Sequence, residues 1–227
     1  MRIFIYEYMT SLGIGQSPDS PEHGMYLEGR AMRDALIEDF SSIPGTEVFA
    51  FRDDEAPVEQ PFFAEKCKGS DWTILVAPAF DNCLYNLAET CRQAGGRLLG
   101  PSLEAIRLTS DKLLLFNHWR RHNVPTPATT EREPTGCEAF PLVWKPCDGA
   151  GSTMTFLLNS AQDVVRAKAV IAAEKYRGPM ILQEFVCGQA ASIAFLCGPC
   201  GNFPLLPALQ LLSQDGRFSY LGGEIPL

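Results

Sequence analysis

No apolar run in this 227-residue sequence approaches the roughly 20 residues that cross a bilayer, and no block of lysine and arginine gathers anywhere along it. A net charge of -8 carried on dispersed side chains argues against a nucleic-acid binder, because phosphate contacts need clustered cations. The opening Met1-Arg-Ile-Phe-Ile-Tyr-Glu7 is too short and too soon charged for a signal peptide. The expected location is therefore cytoplasmic, with neither membrane nor nucleic acid as partner. The phosphate loop GxxxxGK(S/T) is missing. Gly13-Ile-Gly15 lacks the third glycine of a dinucleotide fingerprint, since Pro18 takes that place. It reads as a mobile loop rather than a cofactor cradle.

Paired spacing of the kind that holds zinc is also absent from most of the cysteines. Six of the eight cysteines (Cys67, Cys83, Cys91, Cys137, Cys147, Cys187) stand singly and are expected to be reduced small apolar fillers. Cys197-Gly-Pro-Cys200 has the spacing of a redox dithiol, which needs its first cysteine at a helix N-terminus. Gly201, Pro204 and Pro207 follow, so a Gly-Pro turn between strands fits the segment better. His118 and His122 are four apart and could share a helix face. A third ligand at suitable spacing is missing, so no metal is expected there.

What remains is ordinary globular material, 46% apolar and 20% charged, enough for one large or two small domains. Ile3 to Tyr6, Glu47 to Phe51 and Trp72 to Ala77 are short apolar or β-branched runs, as in a parallel sheet buried on both faces. Met32, Leu36 and Phe40 mark one intervening helix, beginning near Ser20-Pro21 or a little later, and Leu84, Leu87, Ala88, Cys91 and Ala94 mark another. Gly95-Gly96 stops the second before a short strand at Arg97 to Leu99. These βα units predict a Rossmann-like α/β domain over residues 1–106, with Glu7, Tyr8 and Asp81 placed to line the crevice at the strands' carboxyl ends.

From residue 107 the pattern becomes antiparallel α+β. Thr109-Ser-Asp-Lys112 reads as the cap of a helix carrying Leu115, Phe116 and Trp119. Leu142, Val143 and Trp144 form a strand that delivers Lys145 into Pro146-Cys-Asp-Gly-Ala-Gly-Ser152, and Thr153 to Leu158 return as a hairpin. Gly149, Gly151 and Ser152 allow backbone N–H groups to close around an anion. A plain Gly-rich turn beside a surface lysine explains that segment equally well when it is taken alone. Ser160-Ala-Gln-Asp163 is a capping box, and Met180 to Val186 a further strand, broken at Gly188.

Ser110-Asp-Lys112, Lys145 with its Gly-rich hairpin, and Ile181-Leu-Gln-Glu-Phe-Val-Cys-Gly188, in that order after a small parallel domain, resemble the ATP-grasp superfamily over nearly the whole chain. The resemblance implies a pre-ATP-grasp domain followed by an ATP-grasp domain at 107–227, divided into subdomains at about 107–180 and 181–227. It implies that Lys112 and Lys145 reach the ATP phosphates, that Gly149, Gly151 and Ser152 cover them, and that Gln183, Glu184, Phe185 and Val186 form an adenine hinge. The implied reaction is ATP-dependent joining of a small, amino-acid-like carboxylate to an amine through an acyl phosphate, with Mg²⁺ bridging the phosphates. Ile5-Tyr-Glu-Tyr8 and Ala77-Pro-Ala-Phe-Asp81 look most like ligases of the tyramine–glutamate type.

Two features depart from the family pattern. Ala190 stands where many members carry an acid for the ribose, and no Glu-x-Asn metal motif follows, Asp215 and Glu224 being the acids after Glu184. The final Tyr220 to Pro226 reads as an interior segment, which predicts a C-terminally incomplete fold with unpaired strands, uncovered apolar surface and a possible homodimer. Three readings follow: a ligase whose metal site is supplied from elsewhere, a non-catalytic nucleotide-binding module, and a CxxC dithiol protein.

Overall fold

The computed structural model describes residues 1–51, 60–149 and 151–227. Ala150 of the Gly-rich hairpin lies outside them. The chain divides into two units, Met1–Ser110 and Asp111–Leu227. The first runs β1 (Arg2–Glu7), α1 (Tyr8–Leu12), α2 (His23–Ser41), β2 (Glu47–Ala50), α3 (Gln60–Lys68), β3 (Trp72–Val76), α4 (Cys83–Gln93) and α5 (Leu103–Ser110).

β1 lies between β2 and β3 and is parallel to both. A central strand covered on both faces has to be apolar throughout, and Ile3 through Tyr6 are all buried. Ile3 and Ile5 pack with Leu36, Ile37 and Phe40 of α2. Phe4 and Tyr6, on the opposite side, pack with Phe63 and Cys67 of α3 and Cys91 of α4. The strand expected at Arg97 to Leu99 is reduced to one parallel bridge between Leu98 and Thr73.

Two expectations in this unit need correction. The stretch after β1 opens as a helix, because the Glu7 carboxylate accepts from the N–H groups of Met9 (3.1 Å) and Thr10 (2.7 Å) and so caps α1. Gly13 then closes α1 in the left-handed conformation, φ 65°. Glu7 is 2% exposed, an internal cap rather than an acid lining a crevice, and a Cβ at Gly29 of α2 would run into its carboxylate. Tyr8 is half-buried and Asp81 exposed. Thr109 and Ser110, expected at a helix start, instead end α5, and Asp111 alone caps the next helix.

The second unit contains α6 (Lys112–Arg121), β4 (Thr129–Thr130), β5 (Leu142–Pro146), β6 (Phe156–Leu158), α7 (Ala161–Ala173) and β7 (Met180–Glu184). It continues with β8 (Ala191–Ser192), β9 (Phe195–Gly198), β10 (Gly201–Pro204), β11 (Ala208–Leu212) and β12 (Tyr220–Glu224). An antiparallel sheet has the order β4-β7-β5-β6. Trp144, Phe156, Leu158 and Leu182 pack with Val164 and Ala167 of α7. Because side chains alternate along a strand, Val143, Lys145 and Gln183 emerge on the other face. The capping box of α7 is present in altered form: Asp163 accepts from the Ser160 hydroxyl (2.9 Å) and from the Asn159 N–H (3.0 Å).

A second sheet has the order β12-β11-β8, and β9 and β10 form a separate hairpin. Gly198 pairs with Gly201 across the Gly-Pro turn, so no helix starts at Cys197, and Cys197 and Cys200 are both exposed. Leu196, Leu206, Leu221 and Ile225 are each more than half exposed. Among the described residues no helix is long and apolar enough to cross a membrane.

Candidate functional site

The alternation that buries Trp144 against α7 places Lys145 over the opposite face of the sheet, on the wall of a cavity of about 660 Å³, within the usual size range of small-ligand pockets. Lys112 reaches the same cavity from the first turn of α6, together with Gly149, Gly151 and Ser152 of the hairpin. Gln183, Glu184, Phe185 and Val186 line it from the end of β7. All nine positions chosen from sequence therefore border one space.

Asp111 sets the entry to α6. Its Oδ1 accepts from the N–H groups of Leu113 and Leu114, both at 2.8 Å, and from the Cys147 thiol at 3.1 Å. Burial, reinforced by that hydrogen bond to Asp111, pushes the Cys147 thiol up to about 11, so it stays protonated and donates. The Lys112 N–H also donates to the Cys147 carbonyl at 2.9 Å. One carboxylate thus ties the helix start to the hairpin. Asp111→Ala should cost about 1–2 kcal/mol, seen as a lower midpoint in urea unfolding.

Lys112 directs its ammonium at the carbonyls of Asp148 (2.8 Å), Gly149 (3.1 Å) and Cys147 (3.5 Å). Burial lowers its pKa, while Asp148, Cys147 and Asp111 oppose the shift. In this conformation the lysine holds the hairpin's entry strand to α6. The loop beyond is tightly wound, with positive φ at Gly149 (85°), Gly151 (67°), Ser152 (59°) and Met154 (51°). Glycine adopts that conformation without the penalty a Cβ brings, and among the described residues, chain neighbours aside, nothing stands within 4 Å of where a Cβ would lie on Gly149 or Gly151. The Ser152 hydroxyl donates to the Phe218 carbonyl at 2.6 Å, which pins the loop to the turn between β11 and β12.

Lys145 donates to Gln183 Oε1 at 2.7 Å. Its pKa falls to about 8, first because burial disfavours the charged form and second because Lys112 is also positive. Two ammonium groups thus share one cavity, the first held by carbonyls and the second by a neutral amide.

The far wall escaped the sequence reading. Phe218 stacks on Phe185 with ring centroids 6.0 Å apart, and Gln210, Leu212 and Tyr220 complete that side. They lie along a hairpin well downstream of β7, and no local signal in those residues announces the contact. The two acids that follow Glu184 lie apart in separate local settings. Asp215 accepts from the Ser213 hydroxyl and the Arg217 N–H within its own turn, Glu224 sits in β12, and the described residues include no group of three His, Cys, Asp or Glu that could hold an ion. His118 and His122 do lie together, ring centroids 4.4 Å apart, without a third ligand among the described residues. Among the described residues, none therefore form a set that fits a protein-held metal ion.

Residues 109–227 match the family model of the ATP-grasp domain, and residues 31–106 match that of the pre-ATP-grasp 3 domain. The chain belongs to the ATP-grasp family. The tyramine–L-glutamate ligase of Methanocaldococcus fervens is 23% identical over 98% of this chain and 70% of its own length. The D-alanine–D-alanine ligase of Bordetella avium is 27% identical over 53% of the chain, covering 39% of the ligase. Among solved structures, an Archaeoglobus fulgidus protein described as belonging to the ATP-grasp superfamily superposes with a TM-score of 0.73 at 23% identity, over 100% of this chain and 65% of that one. The D-alanine–D-alanine ligase of Bacillus anthracis complexed with ATP gives 0.66 at 16% identity, over 100% and 71%. The ATP-grasp chain described here thus spans between about two fifths and seven tenths of these relatives' lengths.

Proposed function

We propose that the cavity of the second unit binds ATP and that the protein acts as an ATP-dependent carboxylate–amine ligase. The observation that carries this reading is the convergence of two lysines, a hairpin of left-handed residues and an apolar hinge on one cavity of nucleotide size. The polyphosphate would lie between Lys112 and Lys145, whose mutual repulsion it relieves through charge-assisted hydrogen bonds. Gly149, Gly151 and Ser152 would close over it. The base would lie against Val186 and the Phe185–Phe218 pair, with backbone groups of Glu184 to Val186 supplying donors and acceptors.

In the reaction proposed, a carboxylate oxygen of an amino-acid-like substrate attacks the terminal phosphorus and ADP leaves. An amine nitrogen then attacks the acyl carbon, phosphate leaves and the nitrogen loses its proton. The two lysines neutralise charge on the transferring phosphoryl group, which is the main work of such a site. The names of the two ligases above favour amino acids and an aromatic amine as first candidates.

A second reading, a nucleotide-binding module without catalysis, draws on the missing three-ligand group among the described residues. Thermal unfolding with and without ATP, followed by an assay of phosphate release with L-glutamate and tyramine and with D-alanine, separates the readings. A ligase gives a rise in Tm with ATP and amine-dependent phosphate release. A binding module gives the rise alone, and no rise in Tm rejects both.

A further inference from the structure

The registers of three adjacent strands set three polar side chains on one face of the β4-β7-β5-β6 sheet. Thr129 of β4 is directly opposite Gln183 of β7. Gln183 is directly opposite Val143 of β5, which places Lys145, two residues on, diagonally beside it. Hydrogen bonds run along this line. The Thr129 hydroxyl donates to the Pro127 carbonyl at 3.0 Å and accepts from Gln183 Nε2 at 2.8 Å, and Gln183 Oε1 accepts from Lys145 at 2.7 Å.

Each step fixes the polarity of the next. A threonine hydroxyl has one proton, and once this goes to Pro127 the oxygen can receive only a donor from Gln183. The amide must then turn its carbonyl toward Lys145. The reverse orientation would set an NH₂ group against an ammonium, two donors face to face. Thr129 is 5% exposed, so water cannot readily replace its hydroxyl. The amide is also neutral, and holds the lysine without cancelling its charge as a carboxylate would.

We infer that Thr129 and Gln183 form a positioning relay that orients the Lys145 ammonium into the cavity for an anionic ligand, so that the side chain of Gln183 serves the lysine and not the base. In naming ATP phosphate as that ligand, the inference rests on the function proposed above.

The test has a nucleotide-free arm and an ATP arm. Titration of Lys145 is followed by the ¹³C NMR shift of its Cε in the whole chain, for wild type, Thr129→Val, Thr129→Ser and Gln183→Met. The other charged groups that border the cavity with this lysine are Lys112 of α6, Asp148 in the hairpin and Glu184 on β7, and Lys112 acts on it directly. They are common to all four proteins. An accepted hydrogen bond favours the charged form, so its loss in Thr129→Val and Gln183→Met should move the Lys145 midpoint down by about half a pH unit or more. Thr129→Ser should keep the wild-type midpoint.

In the ATP arm, calorimetric titration at pH 7.5 should show affinity roughly five- to tenfold weaker for Thr129→Val and Gln183→Met, and restored in Thr129→Ser. Should Thr129→Val not fold, Gln183→Met at a half-buried position carries the test. Unchanged Lys145 midpoints in the folded variants, or weaker ATP binding without a shifted midpoint, overturns the relay. Shifted midpoints in the two variants, together with a wild type that binds no ATP, retain the relay's geometry and reject the ATP site instead.

Discussion

Lys145→Met is expected to weaken ATP binding by about 100-fold while leaving the nucleotide-free protein at least as stable as the wild type. Methionine keeps the apolar stem that crosses the sheet face and removes the charge at its end. In the wild type that charge is half-buried, has a neutral hydrogen-bond partner and faces Lys112. Without a ligand it is therefore a liability, and deleting it removes both desolvation and repulsion. With a polyphosphate present it becomes one side of a desolvated, hydrogen-bonded ion pair, and truncating such a partner typically costs 2–5 kcal/mol. Calorimetric titration together with a thermal melt distinguishes this from general damage. A variant that binds ATP as tightly as the wild type, or that melts well below it, would speak against the role given to Lys145.

The second large effect is on pH. Lys145 free of ligand titrates near 8, and phosphate favours its protonated form. A bound anion must raise that value, so affinity is full below about pH 8 and declines as pH rises through the free-state value. The limiting slope is about tenfold per pH unit, ending at the higher pKa of the complex. Lys112 is also shifted downward by burial and can only steepen the decline. A phosphate group loses its second proton near pH 6, so the ligand contributes little to the slope above pH 7.5. The expected result is ATP affinity roughly 30-fold lower at pH 9.5 than at pH 7.5, and a much shallower profile in Lys145→Met, where Lys112 alone remains to titrate. A wild-type affinity that is constant or rising across this range contradicts the assignment.

The parallel core and the lysine-bearing hairpin were legible because both rest on short-range patterns. Ile3 to Tyr6 are apolar at every position, as burial on both faces demands, and Lys145 follows an apolar strand directly into left-handed residues. The capping box at Ser160 is likewise a four-residue signal. Where the reading failed, the local signal was short or ambiguous. Helix α1 is five residues long and draws its cap from Glu7 inside the preceding strand, so neither periodicity nor a separate capping residue marked it. Thr109 and Ser110 have the composition of a helix cap yet end α5, leaving Asp111 to cap α6.

The site shows the same division. Gln183 could be placed at the hinge from the strand that carries it, but the direction of its amide is fixed by Thr129, more than 50 residues earlier. Phe218 and Tyr220 reach the cavity because β11 and β12 fold back toward it. Phe218 itself occupies a left-handed conformation, φ 58°, uncommon for a bulky side chain. A linear reading has no access to either fact.

Hydrogen–deuterium exchange of the whole chain, with and without saturating ATP, addresses the location of the site without presupposing an activity. Protection on adding ATP should concentrate in the hairpin at 147–155 and the hinge at 183–186, and should disappear in Lys145→Met. Protection elsewhere with these segments unchanged, or no protection in the wild type, would contradict the account.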